Sequence, residues 1–148
     1  MNQVVVTYWS GSGNTQEMAE LIGQGVRDAG QSVSVIPVDE MKAADLKEYQ
    51  AFALGCPSMG AEELEETIME PFVEEVERFA GGKKIALFGS YGWGDGEWMR
   101  NWVTRMENAG ASVFGGENAI CVEAPDDQAK EMCLNLGRQL AGLVGKAA

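Results

Sequence analysis

The sequence predicts an α/β fold in which a five-stranded parallel sheet is covered by helices on both faces, and three observations carry that expectation. Five short apolar runs alternate with helical patterns along the 148 residues, with no linker, repeat or low-complexity stretch between them. The runs are mostly continuous rather than alternating, as befits strands buried on both faces. The first of them, Val4-Val5-Val6-Thr7-Tyr8-Trp9, passes straight through Ser10-Gly11-Ser12-Gly13-Asn14-Thr15 into an amphipathic helix, and right-handed crossovers of this kind leave few topologies.

Strand one is expected at about 3–8 and helix one at about 15–29, with Met18, Leu21, Ile22 and Val26 on one face and Gly30 as the stop. Strand two covers about 32–38. A short helical turn near 43–48 precedes strand three at 51–55, after which the chain loops through 56–63. The next helix starts with Pro71 at its first position and ends before Gly81-Gly82. Strand four, about 84–89, opens into a long loop at 90–96, and the helix after it runs from about 97 to 109, before Gly110. Strand five lies within 112–122. The last helix is capped by Asp126 or Asp127 and turns Ala129, Met132, Cys133, Leu136, Leu140, Leu143 and Val144 inward. Ligands of such sheets bind outside the carboxyl ends of the strands. The loops after strands one, three and four all fall on that edge.

The length suits a single domain, 1–148, that buries roughly two-thirds of its unfolded surface in one core. The three cysteines, Cys56, Cys121 and Cys133, form no metal or C-x-x-C spacing and leave an odd count, which points to a reducing compartment. Histidine is absent, which removes the commonest zinc ligand and general base. No apolar stretch approaches the ~18 residues of a membrane span, and no basic region precedes the first apolar run. The expectation is a cytoplasmic protein. Its formal charge of −12 repels nucleic acid and anionic lipid and favours partners with a basic surface. Between Glu62 and Phe79 there are eight Glu and one basic residue, Arg78. The plainer reading of that run is a solvated face that keeps the protein soluble.

The loop from Ser10 to Thr15 is an anion cradle. Backbone N–H groups, hydroxyls and the Asn14 amide converge on the positive end of a helix dipole. No Lys or Arg occurs before Arg27, so the anion must be held by dipoles and hydrogen bonds. Gly13 is followed by Asn14 and Thr15 rather than Lys and Ser/Thr, which disfavours a nucleoside triphosphate. Gln16 stands where a dinucleotide fingerprint has its third glycine. A phosphomonoester on a small cofactor fits best. The alternative is an ordinary strand-to-helix turn with Asn14 as N-cap and Glu17 completing a capping-box-like pair.

The loop after strand three reads Gly55-Cys56-Pro57-Ser58-Met59-Gly60-Ala61-Glu62, and that after strand four Gly89-Ser90-Tyr91-Gly92-Trp93-Gly94-Asp95-Gly96. Alternating glycines let the backbone approach a flat ligand while holding an aromatic ring at the surface. Trp93 then forms one wall of a slot and the polarizable Met59 the other. Trp98 and Trp102, four apart on a helix, serve packing.

Together these loops make the chain resemble the flavodoxin family in its short-chain form, over essentially its whole length. The resemblance implies a strand order of 2-1-3-4-5, an arrangement for which that family is itself the type example, with FMN at the junction of strands one and three. Ser10, Gly11, Ser12, Gly13, Asn14 and Thr15 would surround the phosphate. Met59 and Trp93 would sandwich the isoalloxazine, backbone amides around Gly92, Trp93 and Gly94 would face its N1 and O2 edge, and Pro57, Ser58, Gly60, Ala61, Ser90 and Tyr91 would complete the cofactor-binding set. Glu62 would accept from flavin N3–H. Pro57 stands where some relatives carry a serine that touches the phosphate, and Ala61 where Asp, Asn or Ser is commoner. The loop from Glu123 to Asp127 lies near the site in members of that family, with no contact assigned to it. Gly60, at the first central position of a turn Met59-Gly60-Ala61-Glu62, suits a type II′ geometry with φ > 0. By the same resemblance its carbonyl turns to accept from flavin N5–H, stabilising a neutral semiquinone. Nearby carboxylates make the second electron harder to add, several together by about 100 mV. The implied function is a monomeric, low-potential one-electron carrier between redox enzymes that dock through a basic surface. Glu62, Glu63, Glu65, Glu66 and Asp95 are the expected steering carboxylates. An enzyme alternative is a flavin-dependent NAD(P)H or quinone reductase, although nothing in the sequence marks the extra pocket it needs. A signalling receiver domain lacks its acidic residues after strand one and its Lys after strand five.

Overall fold

The computed structural model describes residues 3–11, 13–60, 62–115 and 118–144. Of the residues singled out above, Ser12, Ala61 and the side chain of Val144 lie outside that description. Strand β1 (Gln3–Tyr8) pairs in parallel with β2 (Ser32–Pro37) on one side and β3 (Ala51–Gly55) on the other. β3 pairs with β4 (Lys84–Tyr91), giving the order β2-β1-β3-β4 and then a fifth position. That position is filled by two short strands, β5 (Ser112–Val113) against the start of β4 and β6 (Ile120–Val122) against its end. The expected single strand is therefore interrupted. Between the two pieces Gly115 has φ 79°, and the N–H of Asn118 donates to its carbonyl at 3.2 Å.

Alternation along the strands sorts the core into two layers. Val5, Phe52, Leu54, Ile85 and Leu87 face one side with Met69, Val73, Trp98 and Trp102. Val4, Val6, Ala53, Ala86 and Phe88 face the other with Met18, Ile22, Cys133 and Leu140. The first side is covered by α2 (Met69–Glu77) and α3 (Glu97–Asn108), the second by α1 (Asn14–Asp28) and α4 (Asp127–Val144). A 3₁₀ stretch over Ala43–Glu48 follows β2, as the sequence suggests.

Two helix starts differ from expectation. α2 begins at Met69, so Pro71 is its third residue rather than its first. Its start is fixed by Glu65, whose side chain accepts from the N–H groups of Thr67, Ile68 and Met69. The first helix begins at Asn14, with Gly13 rather than Asn14 as its cap residue and no side-chain cap of its own. At the last helix Asp126 is the cap, its Oδ1 accepting from Ala129 N–H at 2.8 Å. Leu143, expected inward, is 36% exposed. Arg105 ties α3 to α2 through a two-pronged pair with Glu70 and a further bond to Glu77.

Candidate functional site

Parallel pairing continues past the strand ends and sets the loops side by side. Trp9 N–H donates to Gly55 O at 3.0 Å, Ser58 N–H to Ser90 O at 3.0 Å, and Glu123 N–H to Tyr91 O at 2.9 Å. Between the loops lies a cleft of about 310 Å³, within the range of small-cofactor sites. Gly11 and Asn14 line one end of it. Pro57, Ser58 and Met59 form one side and Ser90, Tyr91, Gly92 and Trp93 the other. Trp93 is 53% exposed, whereas Tyr91 packs on Trp98 with ring centroids 5.4 Å apart. Trp98 and Trp102 are buried in the core, as their spacing predicts.

Ser10, Gly13 and Thr15 are chain neighbours of the lining residues Gly11 and Asn14. The N–H groups of Gly13 and Gln16 converge on Ser10 Oγ at 3.1 and 3.3 Å, and Gly13 takes φ 97° to turn its amide that way. Thr15 Oγ1 pairs with Ser90 Oγ at 3.3 Å and accepts from Ser90 N–H at 3.4 Å, fastening the first turn of α1 to the end of β4. This end of the cleft thus offers amides, hydroxyls and a helix N-terminus, the donor set an uncharged phosphate site requires.

Gly60 sits at the rim with φ 51°, in the left-handed region foreseen for it. Its turn is one residue longer than expected: the closing bonds run in both directions between Met59 and Glu63, each at 2.8 Å. Glu62 consequently carries φ 55°, a strained value for a residue with a side chain. The Gly60 carbonyl accepts from the Trp93 indole N–H at 3.2 Å, a link across the cleft that no sequence pattern announces.

Two carboxylates lie elsewhere than expected. Glu62 is not part of the cleft wall. Its Oε1 accepts from Glu97 N–H at 3.0 Å at the start of α3, and it fills the space beside Gly94, where a Cβ would come within 2.4 Å of its carboxyl carbon. Glu65, expected as an exposed steering charge, is only 7% exposed. Burial pushes its pKa up, but the Thr67 hydroxyl and the three N–H groups that bond it outweigh burial and hold the carboxyl below its ordinary value. Its own N–H donates to Cys56 Sγ at 3.4 Å. Burial pushes the Cys56 thiol up to about 12, so it stays protonated and unreactive.

Two cleft residues carry no role in the sequence reading. Trp9 lines the cleft from the end of β1, and Glu123, at φ 55°, from the loop after β6. Trp9 was legible in principle, since it immediately precedes the anion loop. Glu123 owes its place to the interrupted fifth strand.

The fold and the cleft define an α/β protein suited to a flat cofactor that bears an anionic group, with uncharged donors at one end of the cleft and an exposed tryptophan and a methionine in its walls. Comparison with known proteins agrees. The family model for flavodoxin matches residues 6–137. The flavodoxin of Clostridium beijerinckii is 44% identical over 138 residues, which are 93% of this chain and 99% of that one. The two-electron reduced flavodoxin of Megasphaera elsdenii superposes with a TM-score of 0.84 at 42% identity, covering 94% of this chain and 98% of that one. A flavodoxin from the domain Archaea does so with a TM-score of 0.85 at 34% identity, covering 97% and 99%. The chain belongs to the flavodoxin family, FMN-containing electron carriers rather than catalytic enzymes.

Proposed function

We propose that the protein works as a single domain, a monomeric cytoplasmic shuttle that passes one electron at a time, at low potential, between redox enzymes with basic docking surfaces. Bound FMN supplies the redox chemistry. The loop at Ser10, Gly11, Ser12, Gly13, Asn14 and Thr15 holds the phosphate, and Met59 and Trp93 cover the two faces of the ring while Tyr91 stays packed on α3. No helix among the described residues is long and apolar enough to cross a membrane. The buried, protonated cysteines fit a reducing compartment.

The observation that carries the one-electron reading is Gly60. Its φ of 51° is one a branched side chain would resist, and its carbonyl, held at the cleft rim by the Trp93 indole N–H alone among the described residues, can turn once that bond is given up. Rotation would offer the carbonyl to flavin N5–H and favour the neutral semiquinone over both neighbouring states. Stepwise reduction is therefore expected to pass through a blue intermediate, and Gly60→Val to lower its maximum population by narrowing the separation between the two potentials. An unchanged separation in the Gly60→Val protein would refute the role given to this peptide.

Docking is attributed to the exposed Glu63 and Glu66 and to the neighbouring carboxylates of the 62–79 segment, not to Glu65. Each exposed charge is worth only about 0–1 kcal/mol, so the effect is collective. Stopped-flow transfer to a positively charged acceptor is expected to slow as ionic strength rises, and a Glu63/Glu66→Gln pair to lower the low-salt rate severalfold with an unaltered flavin spectrum. A rate flat from low to high salt in the unmodified protein would reduce the acidic segment to a solubility device.

A further inference from the structure

The turn from Met59 to Glu63 is clamped at its ends and lightly held in its middle. Met59 and Glu63 exchange two backbone bonds of 2.8 Å, and Glu62 is anchored to the start of α3 through Glu97 N–H at 3.0 Å and packs against Gly94. Between these anchors a single bond restrains the Gly60 carbonyl among the described residues, the Trp93 indole N–H at 3.2 Å. The space around Gly60 is open, since a Cβ built there would meet nothing within 4 Å. The donor belongs to an exposed side chain on the loop after β4, between Gly92 and Gly94. The Trp98 indole, by contrast, is committed to Cys56 O inside the core. A hydrogen bond as exposed as that of Trp93 is exchanged against water and adds little to the stability of the fold. Its weight falls on one local choice, the direction of the Gly60 carbonyl.

We infer that Trp93 is a positioning residue whose indole N–H restrains rotation of the 60–61 peptide and so sets how readily the Gly60 carbonyl becomes available to the cofactor. The inference rests on the role given to that peptide above. A peptide plane rotates by opposite changes in the two soft dihedrals that flank it, which leaves the clamped ends of the turn in place. Such a rotation carries the carbonyl away from the indole and gives up this bond. Trp93 thus acts on the site in two ways, its ring as a wall and its N–H as the donor that the carbonyl must leave before it accepts from another. The N–H favours only the unrotated arrangement. It therefore lowers the potential for the first electron, whose addition goes with the rotation, and leaves that for the second, added after the carbonyl has turned.

The test removes the N–H and keeps the ring. Benzothienylalanine, in which sulfur replaces the indole N–H, is inserted at position 93 alone in the FMN-loaded protein, with Trp93→Phe as a second variant. Easing the rotation about threefold is expected to raise the first potential by about 30 mV and leave the second in place, so the separation between them widens. In a Gly60→Val background the same replacement should add nothing, because the rotation is already hindered there. A ring wall and nothing more would move both potentials, whatever residue stands at 60. The NMR signal of the Trp93 indole N–H supplies a readout independent of the variants: its exchange with water is expected to be slowed in the oxidised protein and to quicken on two-electron reduction. An unchanged or lowered first potential in either variant, an equal shift of both potentials, or indole exchange that is the same in the two oxidation states would each overturn the inference. Gly60→Val keeps the two readings apart. An unchanged separation in that variant refutes the role of the peptide itself, whereas a narrowed separation there, with no response to replacement at position 93, refutes only the restraint by Trp93.

Discussion

Riboflavin is expected to bind the apoprotein at least about a hundredfold more weakly than FMN. The two ligands differ only in the phosphate, and the end of the cleft at Gly11 and Asn14 gathers uncharged hydroxyls and amides at the start of a helix. A bond from an amide or hydroxyl to a phosphate oxygen contributes about 1.5–3 kcal/mol, and the first turn of α1 adds up to about 1 kcal/mol from its dipole. Two such bonds, net of the dianion's desolvation, reach the roughly 3 kcal/mol that a hundredfold requires. No Lys or Arg precedes Arg27 to assist them, and the net charge of −12 works against the dianion at long range. The gap between FMN and riboflavin should therefore widen as added salt screens that repulsion. Fluorescence quenching titrations at two ionic strengths measure both effects, and equal affinities would remove the phosphate from the cradle.

Replacing Gly137 by Ala is expected to destabilise the protein by about 2–3 kcal/mol, even though alanine is the better helix former by about 1 kcal/mol. Helices α1 and α4 touch backbone to backbone at this point. A Cβ on Gly137 would lie 2.0 Å from the carbonyl oxygen of Ile22, and one on Gly25 would lie 2.1 Å from that of Leu134. The obstacle is backbone on a packed helix, which cannot swing aside as a side chain end can. The helices must separate, and the small side chains beneath them, Ala53 and Ala86, cannot fill the gap. Gly142 supplies the control on the same helix, because a Cβ there meets nothing within 4 Å. Gly142→Ala should raise stability by about 0.5–1 kcal/mol. Chemical denaturation of the two variants should therefore move the midpoint in opposite directions; a neutral Gly137→Ala would mean that the interhelix contact is looser than described.

Local chemistry made most of the architecture legible. The apolar runs placed β1 and β3 to the residue, and the Ser10–Thr15 loop located the strand-to-helix junction, because each is dictated by neighbours in sequence. The cleft's cast was legible for the same reason: Met59, Tyr91 and Trp93 announce themselves by the glycines around them. What could not be read was side-chain direction across loops. Glu62 and Glu65 sit three residues apart in one acidic run, yet one caps α3 and the other nucleates α2. Composition treats them as interchangeable charges, and only the tertiary placement of unsatisfied helix amides assigns them partners. Strand five failed for a related reason. The sequence places it only within 112–122, and which of those residues pair with the sheet depends on what β4 offers them.

The interruption between β5 and β6 also bears on how the molecule behaves in a crowded solution. An exposed sheet edge is a template on which a second chain can add a strand. Here the edge beyond β4 is occupied by pieces of two and three residues, too short and too broken to recruit a neighbour. The opposite edge, β2, carries Ser32 and Ser34 and ends in Pro37, which has no N–H to lend. Among the described residues, both flanks of the sheet are thus blunted against the addition of a strand from a second copy of the chain.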